Sequence, residues 1–247
     1  MKTVFKLRIY QLILSGILLM LFSACSKDGP GGPNIGGTTV KDINGNEYGA
    51  MKIGNQTWLT SNLRVASFND GTPLLTWLYE GYEWASAGAA FCIYHPSYID
   101  GLDDEEDVAA AYGHLYNWAA VTSSKGLCPT GFHVPTLEDW EELVTFLGGE
   151  EIAGGKLKSK RTAPGSTHPY WESPNTDATD NFGFAAVPAG YRSSLGQYDY
   201  IGYYAEWWTS TEYNSDLAHT YYACYSDATL TPGYGRKKAG YSVRCMH

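Results

Sequence analysis

Residues 136–147 predict one amphipathic helix with both of its ends marked, and this helix constrains the fold more than any other segment. Thr136 and Asp139 have the spacing of a capping box, and Pro135 disfavours helix before them. Gly148 and Gly149 can end the helix. A helix with a single apolar stripe has to cover another layer of structure, so we expect a sheet beneath it. The apolar residues at helical spacing are Leu137, Trp140, Leu143, Val144 and Leu147.

Alternating segments in the first and last parts of the chain predict that sheet. Residues 40–65 predict a β-meander, because Asn44-Gly45-Asn46 and Gly54-Asn55 are hairpin signals between alternating runs. Three later runs, EWWTSTEY, HTYYACYS and GYSVRCMH, predict antiparallel strands over 206–213, 219–226 and 240–247. The acidic run 103–107 indicates either a solvated face or the first turn of a helix through residue 121. The predicted class is α+β, with small antiparallel sheets, one or two helices and long irregular loops.

The N-terminal segment predicts a lipoprotein. Residues 1–24 have a basic start, an apolar run and small residues before Cys25, which is the pattern of a signal peptide. FSAC resembles a bacterial lipobox, which implies that Cys25 is lipidated; the alternative is an ordinary signal peptide with a chance cysteine. Residues 25–39 predict a flexible tether rich in glycine, and 40–247 a single domain. We therefore expect a surface-exposed outer-membrane lipoprotein whose membrane contact is the Cys25 lipid.

The charge of the chain excludes one class of partner. The formal net charge is −9, and residues 1–24 hold three of the basic residues and none of the acidic ones, so the rest is still more acidic. Such a charge argues against nucleic acid as a partner. The 20 tyrosines and 8 tryptophans suit either a hydrogen-bonded core or a wet binding surface.

Four cysteines remain after Cys25. In an oxidising compartment two disulfides are expected, and four cysteines allow three pairings that sequence alone does not distinguish. We favour Cys128 with Cys245, which would close the end of the domain onto its middle, and Cys92 with Cys224.

Motifs for catalysis are weak. GEEIAGGK has the wrong spacing for a phosphate-binding loop and lacks its hydroxyl residue. A nucleophilic site would pair Cys128 with His133, or Cys92 with His95, but each cysteine fits a disulfide better and neither histidine has an orienting partner. We expect no catalytic residue and no cofactor, and we interpret the CPTGFHVP turn as a structural corner.

Two groups of residues with side-chain oxygen atoms are candidates for a metal site or a catalytic site. Asp177, Asp180 and Asn181 can offer oxygen ligands to calcium, although an Asx-rich turn is the favoured alternative. Glu206 and Glu212 lie within an aromatic strand and are the candidates for a pair of glycosidase carboxylates, but we interpret the strand as a binding surface through one of its tryptophans. Of Trp207 and Trp208, we expect one in the core and the other at a surface.

Several segments, in this order, resemble the Fibrobacter succinogenes major paralogous domain (FISUMP). They are DINGNEYGAMKIGNQTWLTSNL, YGHLYNWAAV, LCPTGFHVPTLEDWEEL, GGKLKS, TDNFGFAAVPAGYR, YAEWWTSTEY and GYSVRC. More distantly, HVPTLEDWEEL and EWWTS resemble formylglycine-generating-enzyme-like domains, which implies a C-type-lectin-like fold. That resemblance does not imply the activity, because those enzymes use two cysteines a few residues apart, whereas Cys224 and Cys245 are distant in the chain.

We therefore expect a lipid-anchored, non-enzymatic binding or adhesion module whose ligand is a glycan or a surface protein. Alternatives are a structural subunit of an envelope or fimbrial assembly, and an enzyme with a formylglycine-generating-like or hydrolytic site. The ligand-binding candidates are chosen from loop or strand-edge positions. They are Trp171, Tyr191, Arg192, Tyr203, Tyr204, Trp208 and Tyr213.

Overall fold

The computed structural model describes residues 38–77, 84 and 88–247. The predicted signal peptide, Cys25 and most of the predicted tether lie outside these residues. Within the described part, no helix combines the length and the apolar character that a membrane crossing requires.

The first sheet is the predicted meander. It consists of β1 (Thr38–Lys41), β2 (Glu47–Ile53) and β3 (Gln56–Leu59), paired antiparallel in that order. Gly45 has a φ of 84°, a left-handed conformation that glycine adopts without strain. The side chain of Asp42 closes the same turn by accepting hydrogen bonds from the Asn44 and Asn46 backbone.

The second antiparallel sheet has the order β11-β10-β9. Strands β9 (Tyr204–Glu212) and β10 (Leu217–Cys224) confirm two of the three predicted C-terminal strands. The prediction of a third strand over 240–247 is wrong, because β11 (Leu230–Arg236) takes that place. Pro232 and two glycines hide β11 in the sequence, but β11 is an edge strand, where a residue without an N–H is tolerated.

Residues 240–247 run between the elements instead of extending one sheet. They form isolated bridges from Tyr241 to Tyr116, from Ser242 to Trp207, and from Met246 to both Trp58 and His133. Each bridge satisfies backbone groups that a buried segment would otherwise leave unpaired.

Two smaller sheets complete the β-structure of the described residues. β5 (Ala90–Cys92) pairs antiparallel with β6 (Leu115–Tyr116) and parallel with β4 (Leu75–Trp77). β7 (Tyr191–Arg192) pairs antiparallel with β8 (Tyr198–Asp199). The fold is α+β with small sheets, as predicted, and differs from the prediction in containing one parallel pair.

The described residues form four α-helices and a 3₁₀ turn at Pro96–Tyr98. The predicted helix is α3 (Leu137–Leu147): Thr136 and Asp139 form the capping box, and Gly148 ends the helix in the left-handed conformation. α1 (Glu105–Tyr112) is shorter than the predicted helix through residue 121, because Gly113, with a φ of 79°, ends it. The remaining helices are α2 (Trp118–Val121) and α4 (Glu150–Leu157).

Helix α4 explains the glycine-rich GEEIAGGK segment. At Gly154 a Cβ atom would collide with the carbonyl oxygen of Thr229, just before β11. The glycine therefore allows the helix to approach the sheet at backbone distance. Its role is packing.

Strand β9 separates two parts of the core. Trp207 packs into the cluster that contains Trp58, Trp140 and Phe184, whereas Trp208 packs into the cluster on the other face. Both tryptophans are 0% exposed. The expectation that one of them lines a surface is wrong, because both faces of the strand are covered by core at these two positions.

One of the two favoured disulfides is present. Cys128 is bonded to Cys245, as predicted, across a sequence separation of 117. Cys92 and Cys224 are buried but unpaired, so the prediction that they form a second disulfide is wrong. Cys92 lies in β5 within one core cluster, and Cys224 ends β10 with its sulfur 3.1 Å from the hydroxyl oxygen of Ser226.

Candidate functional site

A cleft of about 250 Å³ lies on the outer face of the second sheet, and we call it the tyrosine cleft. Five of its seven lining residues are tyrosines, the sixth is a glutamate and the seventh is a glycine. No lysine or arginine lines it. The residues are Tyr191, Tyr200, Tyr204, Glu206, Tyr222, Gly233 and Tyr234.

The strand register brings the floor of the cleft together. Tyr204 and Glu206 lie two residues apart on β9 and therefore on one face of the sheet. Tyr222 is the direct partner of Glu206 on β10. On β11, a Cβ atom at Gly233 would come within 3.0 Å of the Thr220 hydroxyl and 3.5 Å of the Tyr222 ring, so glycine keeps this part of the floor open.

Tyr191 and Tyr200 form the opposite wall. Tyr200 follows β8 with a φ of 65°, a left-handed conformation that costs free energy for a tyrosine and needs surrounding structure to hold it. Its carbonyl oxygen accepts hydrogen bonds from the backbone N–H groups of Tyr203 and Tyr204. The Tyr200 ring is stacked 5.7 Å from Tyr191 and stands edge-on to Tyr204, with the ring planes at 80°.

Glu206 is the carboxyl group of the cleft. It is half-buried, and its Oε1 accepts a hydrogen bond of 2.9 Å from the hydroxyl of Thr220. Burial raises the pKa of Glu206 to about 7, although the Thr220 hydrogen bond acts in the opposite direction. Near neutral pH the carboxyl group can therefore act as a hydrogen-bond donor or as an anionic acceptor.

Two tyrosines of the cleft, Tyr204 and Tyr191, have raised pKa values. Contact with the Cys224 thiol, followed by burial, raises the pKa of Tyr204 to about 12. Burial and the charges of Asp199, Tyr200 and Glu206 raise the pKa of Tyr191. The cleft thus offers phenol rings and hydroxyls around one carboxyl group whose pKa is raised to about 7.

Glu206 and Glu212 do not form a glycosidase pair. They lie six positions apart on β9, which corresponds to roughly 20 Å at about 3.3 Å per residue. Glycosidase carboxylates lie about 5 to 9.5 Å apart. Glu212 is paired with Lys237, away from the tyrosine cleft.

The family comparison covers the second sheet and the β7–β8 pair, which together build the tyrosine cleft. The model of the Fibrobacter succinogenes major domain matches residues 51–247. The chain belongs to this family. No curated protein and no solved structure has significant similarity to it. The match includes every residue of the tyrosine cleft, so the cleft is built within the Fibrobacter succinogenes major domain.

Two of the seven predicted ligand-binding residues of this Fibrobacter succinogenes major domain, Tyr191 and Tyr204, line the cleft. Tyr213 packs beside it, with its ring 4.2 Å from Tyr234. Tyr203 is 41% exposed and contacts Tyr225 instead.

The structure does not place the other three candidates at a surface. Trp171, Arg192 and Trp208 are each 0% exposed. Trp171 and Trp208 donate hydrogen bonds from Nε1 to the carbonyl oxygens of Ala186 and Tyr116. The Arg192 guanidinium lies 4.6 Å from the Trp84 ring centre. Each side chain is thus engaged inside the domain.

Sequence reasoning did not select Tyr200, Tyr222 or Tyr234, and it treated Glu206 only as part of an aromatic strand. The register of β9 against β10, which puts Glu206 beside Tyr222, is the signal that would have found this face. That register is interrupted by a shift between Ala218 and Thr220, which alternation alone does not reveal.

The candidate calcium ligands adopt turn conformations. Asp177 and Asp180 have φ values of 55° and 44°, and the Asp180 carboxylate accepts a hydrogen bond from the Ala185 backbone. In the part of the chain that the structure describes, no three His, Cys, Asp or Glu side chains come together as a metal-binding group. Whether Asp177, Asp180 and Asn181 bind calcium stays an open prediction.

The two cysteine–histidine pairs also have structural partners. Cys128 is in the disulfide, and His133 lies with Nε2 3.4 Å from the carboxylate of Asp139. Burial raises the pKa of the Cys92 thiol to about 12, which disfavours the reactive thiolate. His95 caps the 3₁₀ turn by accepting a hydrogen bond from the Ser97 backbone.

Proposed function

We propose that this protein is a lipid-anchored, surface-exposed outer-membrane binding module that holds a glycan or a partner protein in the tyrosine cleft without chemical conversion. The observation that carries the proposal is the cleft itself: five tyrosine rings surround one carboxyl group on an open face of the sheet.

Exposure of the rings supports a binding role. Tyr200 and Tyr234 are 52% and 57% exposed, although large aromatic side chains gain free energy by burial. Aromatic residues are enriched where proteins bind partners, since they bury a large area and keep a polar hydroxyl at the tip. The strained backbone at Tyr200 points the same way, because such strain concentrates at functional sites.

The anchor is supported by sequence alone. FSAC precedes a glycine-rich tether, which would hold the domain away from the bilayer. Metabolic labelling with a palmitate analogue should modify the full-length protein and not the Cys25→Ser variant, and protease added to intact cells should remove the domain. A labelled Cys25→Ser protein, or a domain protected from protease in intact cells, would contradict this part of the proposal.

The binding role can be tested with the mature protein displayed densely on beads against glycan arrays and cell-surface proteins. We expect a specific ligand whose binding is lost, by about tenfold or more, in the Tyr200→Ala/Tyr234→Ala double variant. Tyr98→Ala is the matched control, because Tyr98 is 62% exposed and does not line the cleft. No binding above that of an unrelated lipoprotein would reject the proposal, and equal binding by the double variant would reject the cleft as the site.

A further inference from the structure

The rings of the tyrosine cleft form a corner. Tyr200 and Tyr204 meet at 80° with ring centres 5.2 Å apart, and Tyr204 and Tyr222 meet at 51° with centres 6.1 Å apart. A flat sugar face stacks best on one flat ring surface. Rings that meet at steep angles instead surround a compact group, which is the arrangement that binds quaternary ammonium ligands.

The electrostatics of the cleft favour a positive charge. Aromatic faces carry negative potential, and Glu206 adds a carboxyl group at the floor. Asp199 is near enough to Tyr191 to raise the pKa of that tyrosine. The basic side chains of the domain lie elsewhere, since no lysine or arginine lines the cleft.

The tyrosine rings of the cleft also make no cation–π contact with a lysine or arginine among the described residues. Within the described residues, the cation–π contacts use Trp171, Trp84, Tyr198, Trp118 and Phe184. None of these rings belongs to the cleft. A cation from another molecule would therefore meet no internal competitor.

We infer that the tyrosine cleft recognises a positively charged ammonium group of its ligand, held against the faces of Tyr200, Tyr204 and Tyr222 and paired with the carboxylate of Glu206. This inference rests on the proposed binding function and names the chemistry that the ligand presents. An amino sugar and a lysine side chain both carry this group.

Tetramethylammonium tests the group alone, because its charge does not depend on pH. We expect saturable binding, followed by NMR of the mature protein, that strengthens as pH rises through about 7 and Glu206 ionises. Glu206→Gln should weaken binding at pH 8 by about tenfold and remove its pH dependence. Saturable binding that is independent of pH and unchanged in Glu206→Gln would overturn the inference.

His219 is a second ionisable side chain beside the cleft, with its ring 5.2 Å from that of Tyr234. The His219→Gln variant should keep the pH dependence of binding. If that variant loses the pH dependence, His219 is responsible and the role of Glu206 is rejected.

Matched pairs of probes distinguish the source of the ammonium group and separate this inference from the proposed function. Glucosamine should bind better than N-acetylglucosamine if the source is a sugar, and lysine amide better than norleucine amide if the source is a protein. Equal binding of both members of each pair would overturn the charge inference and leave the binding function standing. No binding of any probe, together with no ligand on the arrays, would reject both.

Discussion

The guanidinium of Arg244 donates a hydrogen bond of 2.9 Å to the side-chain oxygen of Asn62, a residue 182 positions earlier in the chain. The same oxygen accepts a hydrogen bond of 3.0 Å from Trp207 Nε1, and Arg244 also donates to the carbonyl oxygens of Leu59 and Phe184. Burial lowers the pKa of Arg244 to about 9. This buried arginine joins β3, β9 and the loop containing Phe184.

Arg244→Met should destabilise the domain by about 3 kcal/mol, because it leaves buried acceptors without a donor. Urea denaturation measures the change in the free energy of unfolding. Asn62→Leu should also be destabilising, and the double variant should cost clearly less than the two single changes added together. The control is Arg236→Met, because Arg236 is exposed and its substitution should change the free energy of unfolding very little. If Arg244→Met has an effect as small as that of the control, the buried network contributes little to stability.

Glu206 should make the protein less stable as pH rises from about 4.5 to 7. In this window the unfolded chain releases the proton of Glu206 while the folded protein, with its raised pKa, retains it. Glu206→Gln should therefore raise the melting temperature at pH 8, by an amount equivalent to about 1–2 kcal/mol, and have little effect at pH 4. Glu142→Gln, on the exposed face of α3, should show no such difference between the two pH values.

His114 should act in the opposite direction. Burial lowers the pKa of this histidine to about 4, and its ring stacks on Phe91 at 4.2 Å. Between about pH 6.5 and 4, His114 is protonated in the unfolded chain and not in the folded protein, so the free energy of unfolding falls as pH falls. His114→Phe should remove this acid sensitivity, worth about 2 kcal/mol, because phenylalanine binds no proton. The substitution leaves the Val65 carbonyl paired, since Tyr116 still donates a hydrogen bond to it.

Thermal unfolding at pH 4.5 and 7 measures the effect of His114→Phe. The exposed His247→Phe variant provides the control. An acid-induced loss of stability that is the same in wild type and in His114→Phe would assign the sensitivity to other groups.

The Cys128–Cys245 disulfide should contribute about 4 kcal/mol, because it closes a long loop in the unfolded chain. The Cys128→Ser/Cys245→Ser variant should show this loss in urea denaturation. Reductant should destabilise the wild-type domain and leave the double variant unchanged. The Cys224→Ala variant should still be destabilised by reductant, because Cys224 is a free cysteine. If this variant no longer responds to reductant, Cys224 takes part in the disulfide.

Local patterns in the sequence predict the elements whose ends are marked by local chemistry. The capping box at Thr136 and Asp139, with Gly148 after the helix, specifies α3, and the turn at Gly45 specifies the β1–β2 hairpin. By contrast, β11 contains Pro232 and two glycines, which are tolerated only because β11 is an edge strand. That information comes from tertiary structure and is absent from the local pattern.

The candidate site was predictable only in part for the same reason. Tyr191 and Tyr204 were selected as aromatic residues of loops or strand edges, but so was Trp208, which packs into the core. Aromatic residues serve cores and binding surfaces equally well, so their side chains do not reveal which face of a strand is covered. The cleft depends on Tyr222 and Tyr234 coming from neighbouring strands, and this requires the register of the sheet.

Residues 240–247 also determine when the domain can fold. Their bridging partners, among them Trp58, Tyr116, His133 and Trp207, all come earlier in the chain and would leave the ribosome first. Contacts between such distant segments make folding slow. The backbone bridges that join β3, β6, the turn before α3 and β9 can therefore form only after Met246 has been synthesised, so this part of the architecture is completed last.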